Sequence, residues 1–126
     1  SLDENATLNN AVREVAILTV GGAFGAKFQL YAHEIMAAAF GLPSNVIAAL
    51  AAGGRPNGMN DQQTIAHDIA RSLATGHIVP DSTYKYAVEI LGREGVAELC
   101  FLIAGYTLIA TILNGFDMPA PGNKEQ

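Results

Sequence analysis

Sulfur, tryptophan and clustered positive charge are what this chain has least of. Cys100 is its single cysteine, so no disulfide can close within the chain and a dithiol redox centre is excluded. The neighbours of that thiol in Leu99-Cys100-Phe101-Leu102 read as packing, where a free cysteine behaves as a small hydrophobe. A reducing, cytoplasmic compartment is the expectation. Tryptophan is absent, aromatic residues make up 7%, and the seven lysines and arginines stand singly among twelve acidic residues, for a net charge of −5. Base stacking and phosphate binding both depend on what is missing here, so nucleic acid is not an expected partner. The opening residues do not run in charged, apolar and small-residue order, and no signal peptide is expected. The longest apolar stretch, Leu99 to Leu113, is interrupted by Gly105, Tyr106 and Thr107 and falls short of the ~20 residues of a bilayer span, which favours a buried core helix and no membrane. His33, His67 and His77 show none of the paired spacing of a zinc site, and no phosphate-binding glycine loop, Gly-x-Ser-x-Gly elbow or dinucleotide fingerprint occurs. No metal and no organic cofactor are expected.

What is present is aliphatic and alanine-rich. A hydrophobic content of 50% over 126 residues fills the core of one domain and leaves apolar surface over, which predicts an oligomer. Strand alternation is almost absent and helical periodicity dominates, so the class is all-α, with about six helices over residues 1–119 and a polar tail over 120–126. The first is expected from Thr7 to Ala23, with Leu8, Ala11, Val12, Val15, Ile17 and Leu18 as its stripe, ending at Gly21, Gly22 and Gly25. The second runs from Ala26 to Phe40 and the third from Pro43, as its first residue, to Ala52. Asn60 with Gln63 predicts a capping box opening a fourth helix that ends near Gly76. The fifth is expected to be capped by Asp81 or Ser82 and stopped by Gly92, and the last, Glu94 to Asn114, is apolar nearly all round, so it belongs at the centre of the bundle or at a subunit contact.

Chemistry concentrates at one corner. Gln29 and His33 are four apart, hence on one face of the second helix, and Glu14 lies on the helix leading into the same turn. A carboxylate, an amide and an imidazole brought together there suit proton transfer on a small acid substrate, because a histidine beside a carboxylate can exchange a proton near neutral pH. The same residues also fit a pair satisfied inside the core, and spacing alone does not choose. Arg13 is a candidate for holding a substrate carboxylate, or else a surface ion-pair partner. Tyr106 could bring its hydroxyl to a pocket or pack as core. Glu98, at the start of the last helix, fits a dipole-favoured residue or a partner of Arg93. His67 shares a surface with Arg71 and reads as solvated, and His77 falls in a turn.

Arg13-Glu14-Val15-Ala16-Ile17-Leu18, the segment around His33, the phrase from Glu98 to Tyr106, then Leu113-Asn114-Gly115-Phe116 and Met118-Pro119 together resemble carboxymuconolactone decarboxylase domains, kin of the alkyl hydroperoxidase D proteins. The resemblance spans most of the chain. It implies an alkyl hydroperoxidase D-like helical bundle that assembles as a trimer or hexamer. In the hydroperoxidase branch a Glu, a Cys-x-x-Cys pair and a His recur at fixed intervals. Glu14 and His33 match the outer two positions, whereas Ala26 and Gln29 stand where the cysteines would be. A dithiol is the nucleophile and electron donor of that chemistry, so its loss argues against peroxidase activity. The decarboxylase branch commonly has an acidic residue where Gln29 stands, and Gln29 can orient a substrate but cannot titrate. Relatives carry helices ahead of the Arg-Glu phrase, where about twelve residues stand here, a difference that would leave further apolar surface for association to cover. The resemblance thus implies a cofactor-independent lyase acting on a small carboxylated lactone of aromatic catabolism, with His33 and Glu14 catalytic and Gln29, Arg13 and Tyr106 substrate-binding. The alternative is a non-catalytic oligomeric binding or scaffold protein on the same fold.

Overall fold

The structure, a computed structural model, describes residues 8–122. Among them every regular element is helical: α1 (Asn10–Phe24), α2 (Lys27–Ala39), α3 (Ser44–Ala51), α4 (Asp61–Arg71) with a π-helical turn over Ser72–Gly76, and α5 (Asp81–Gly115). The all-α expectation holds. The expected helix start at Thr7 and the end of the polar tail lie outside the described residues.

Local chemistry sets the boundaries. The Asn9 side chain accepts a hydrogen bond from the Val12 N–H at 2.9 Å, satisfying one of the donors a helix start leaves free. Gly25, at φ 63°, ψ 34°, ends α1 in a left-handed turn that glycine adopts without steric cost. Of the glycine group expected at the end of this helix, Gly25 ends it, and Gly21 and Gly22 lie in its last turn. Their role is packing: a Cβ on Gly22 would come 2.5 Å from the Leu50 carbonyl oxygen, so α3 crosses α1 where only a hydrogen fits. Pro43 occupies the N-cap position of α3 rather than its first turn. The capping box of Asn60 and Gln63 forms in both directions. At α5 neither Asp81 nor Ser82 caps; Pro80 takes that position. Gly92, at φ 74°, ψ 166°, is non-helical and interrupts α5 where a stop was expected, so this element is two helical segments, 81–91 and 93–115, that meet at a kink.

α1 is the hub, packing against α2, α3, α4 and α5. Every residue from Glu14 to Gly21 is buried, the pattern of a helix enclosed on all sides. Leu18, Leu50, Ile69 and Leu99 are its largest fully buried neighbours and members. The centre of the bundle therefore belongs to α1 and not to the last helix. α5 buries one stripe, Val96, Leu99, Ile103 and Ala110, and leaves Phe101, Leu108, Ile112 and Phe116 exposed on the other side. Among the described residues α5 is the one helix long and apolar enough, by length and composition, to cross a membrane, and only 22% of that apolar window is buried within the chain.

Candidate functional site

Three helices meet at the corner the sequence singles out. Glu14 on α1 and Ile17, one turn further, face His33 and Gln29 on α2, so the two helices run antiparallel with their polar residues matched in register. The His33 Nδ1–H donates to Glu14 Oε1 at 2.6 Å, and the side chains are 11% and 5% exposed. A hydrogen bond this short in so dry a setting fixes the imidazole ring and directs Nε2 away from the carboxylate. Tyr106, from α5, stands edge-on to His33 with ring centroids 5.1 Å apart and planes at 85°, an arrangement aromatic rings favour.

Gln29 is buried and its polarity is set. Its Nε2 donates to the Ile17 carbonyl at 3.0 Å, which leaves Oε1 as a buried acceptor with no hydrogen-bond partner among the described residues. Such an atom costs about 1–3 kcal/mol when unsatisfied. Arg13, next to Glu14, donates from Nη1 to Glu98 Oε2 at 3.3 Å, tying α1 to α5. Glu98 also accepts from the Leu8 N–H at 3.3 Å. The sequence reading of Glu98 as a partner of Arg93 gives way to this long-range pair, which a linear pattern does not reveal.

Burial raises the Tyr106 hydroxyl pKa above its ordinary value, the Glu14 carboxylate adds to the rise, and Arg13 opposes it. That influence puts Arg13, Glu14 and Tyr106 within one electrostatic neighbourhood. Cys100 is half-buried, and its thiol is likewise raised by burial, which works against thiolate chemistry.

A second polar group, absent from the sequence reading, sits on α4. His67, expected on a solvated face, is 4% exposed. Its Nδ1 is 2.8 Å from Asp68 Oδ1, and Asp68 receives two hydrogen bonds from Arg55 at 2.9 and 3.1 Å. Burial alone would raise the Asp68 carboxyl, but the hydrogen bonds from Arg55 and His67 outweigh it and hold its pKa below the usual value. Arg71 donates to the Gly53 carbonyl at 2.8 Å, so the two arginines fasten the 53–59 loop to α4. The adjacency of His67 and Asp68 was a signal in the sequence; the reach of Arg55 across the loop was not. His77 takes a left-handed conformation in its turn, φ 66°. Among the described residues no three His, Cys, Asp or Glu side chains are grouped to hold a metal ion.

An open groove of about 620 Å³ lies between α2 and α3, lined by Leu30, Glu34, Ala38, Ser44, Ile47 and Ala48 among others. It uses a different stripe of α2 from the one that carries Gln29 and His33. Comparison with protein-family models, with curated proteins and with solved structures finds no match for this chain.

Proposed function

We propose that the chain is a cofactor-independent lyase of the carboxymuconolactone decarboxylase type, acting on a small carboxylated lactone or a related intermediate of aromatic breakdown. The observation that carries this reading is the buried Glu14–His33 pair. Glu14 accepts the Nδ1 proton, so His33 is left with Nε2 to give or take a proton at a substrate carbon. As carbon dioxide leaves, the electron pair of the broken carbon–carbon bond stays on the substrate, and the proton on Nε2 quenches it. Glu14 stabilises the protonated ring before transfer and orients the neutral ring afterwards. Arg13 supplies positive charge for the substrate carboxylate while sharing itself with Glu98. The Tyr106 hydroxyl, held protonated well into the alkaline range, is a donor. Gln29 Oε1 is an acceptor and suits a hydroxyl or other donor on the ligand, not its carboxylate.

The other reading, a non-catalytic binding or scaffold protein, has one observation in its favour. Arg13, His33 and the amide nitrogen of Gln29 are each already engaged inside the chain. Release of carbon dioxide from γ-carboxymuconolactone, followed from about pH 5 to 9 with His33→Ala as control, separates the two. Turnover lost in the variant while helical content is retained supports the lyase. Equal turnover in both removes His33 from the mechanism, and none in either favours the binding protein.

A further inference from the structure

We infer that the Gln29–His33 stripe of α2 holds a water molecule and turns it on a reactive acyl group, which makes this chain a hydrolase of small lactones and esters. The two side chains stand one turn apart on α2 and reach neighbouring turns of α1, at Ile17 and Glu14. Each commits its donor there. Gln29 gives its Nε2–H to the Ile17 carbonyl at 3.0 Å, and His33 gives its Nδ1–H to Glu14 Oε1 at 2.6 Å. What each keeps is an acceptor, Oε1 of the amide and Nε2 of the neutral ring, and neither has a hydrogen-bond partner among the described residues.

Reversing the amide gives no relief. A backbone carbonyl only accepts, so the flipped amide would set two oxygens against each other at Ile17. Gly21, the next turn of α1, lets the amide sit against the helix: a Cβ there would come 3.3 Å from Gln29 Nε2 and 3.0 Å from Leu30 Cδ2. The other buried polar side chains are answered within the chain, Thr19 by the Val15 carbonyl, His67 by Asp68, and Glu14 and His33 by each other. Gln29 Oε1 is thus the one buried side-chain nitrogen or oxygen without a partner among the described residues. Buried waters occupy sites of this kind, each making about three hydrogen bonds to polar atoms otherwise unmet. Two acceptors on one stripe call for a molecule with two donors. Water has two, whereas a ligand hydroxyl has one.

A water that gives one proton to Gln29 Oε1 and the other to His33 Nε2 turns its lone pairs outward and has a base already in place. As its oxygen bonds to the acyl carbon, Nε2 takes the proton and the carbonyl electron pair moves onto oxygen. Glu14 stabilises the charged ring. Tyr106, edge-on to His33 with ring centroids 5.1 Å apart, brings an O–H to the same corner for the oxyanion. When the adduct collapses, the bond from carbon to the ring oxygen breaks, its electron pair stays on that oxygen, and the Nε2 proton follows. Lactone and water leave as a hydroxy acid, with nothing oxidised or reduced. The proposal shares the Glu14–His33 pair with the lyase reading but needs no carboxylate on the substrate, so the two stand or fall separately.

δ-Valerolactone is the probe, because it has no carboxylate to lose and its opening reports hydrolysis alone. In a pH-stat between about pH 5 and 8, the wild-type chain is expected to open it above the buffer rate, with kcat falling as acid protonates His33. His33→Ala should lose ~100-fold or more. Gln29→Met, which keeps the length of the side chain and removes its acceptor, should lose ~10-fold or more in kcat with KM and circular dichroism little changed. A merely structural Gln29 would move the melting temperature and leave kcat where it is. Should His33→Ala fail to fold, the pH profile and Gln29→Met carry the test. Opening no faster than in buffer overturns the proposal, as does wild-type kcat in Gln29→Met, or an acyl adduct on the protein in mass spectrometry, which would make a side chain and not water the nucleophile. A chain that opens δ-valerolactone but releases no carbon dioxide from γ-carboxymuconolactone upholds this activity and ends the lyase reading; the reverse result ends this one.

Discussion

α1 from Glu14 to Gly21 and α5 from Leu99 onward are both largely apolar, yet that stretch of α1 is enclosed on every side while α5 is covered along one stripe. Over these stretches apolar content does not separate them. Their neighbours do: α1 touches all four other helices, and its Gly22 lets α3 approach to backbone contact. Apolarity tells that a helix must be covered; it does not tell by what. The polar residues sharpen the contrast. α1 places its charged Glu14 inside, where His33 meets it, and Arg13 at the margin, whereas the apolar half of α5 turns large side chains outward where polar ones would be at home.

The largest effect should come from the enclosed helix. Leu18→Ala removes a fully buried side chain and is expected to destabilise by about 3–5 kcal/mol in urea titration, whereas Leu108→Ala, at an exposed position, should stay within about 0.5 kcal/mol of wild type. Similar costs at both positions would break the comparison. Gly22→Ala should follow, at about 1–3 kcal/mol, because the methyl must displace the Leu50 carbonyl; an unchanged melting temperature would mean that α3 yields freely. On the inner side of α5, the raised Tyr106 pKa links stability to alkaline pH. Between the unfolded value of ~10 and the higher folded one, the unfolded chain binds fewer protons, so stability complete below about pH 10 is lost as pH rises through the folded value. Tyr106→Phe should remove that alkaline loss, and a slope that persists would assign it elsewhere. The smallest effect belongs to the outer shell of the bundle. Asp68, held low by Arg55 and His67, contributes stability above the unfolded pKa of ~3.9 that is lost as pH falls through its folded value. With Arg55 59% exposed, solvent screening limits this to under about 1 kcal/mol, read as a flatter acid limb in Asp68→Asn.

The parts of this fold that were legible in the sequence are those written in short-range chemistry. Asn60 and Gln63 announce their capping box within four residues, and the four-residue spacing of Gln29 and His33 places them on one stripe. Glu14 was legible as a candidate, and its bond to His33 needed only that α1 and α2 fold back across Gly25. Less legible was anything decided by contacts distant in the chain. The same glycine signature ends α1 at Gly25 but, at Gly22, admits α3 to a helix that continues, because the close approach depends on Leu50. Gly92 reads as a stop and its backbone is non-helical, but that the chain re-enters helix at once, as a kink, was not legible. His67 looked solvated, yet it is buried, and its neighbour Asp68 is met by Arg55 from across a loop, a contact the linear pattern does not show. Arg13 was legible as a cation, its commitment to Glu98 was not.

The enclosure of Glu14 within the central helix has a consequence for how this protein can change. Sites mounted on loops can be altered while the scaffold stays indifferent. Here the carboxylate that meets His33 is also part of the fully buried stretch of the central helix, so substitutions at this pair will also move the melting temperature. Substitutions around the Glu14–His33 pair should therefore be tolerated most readily in a pre-stabilised parent.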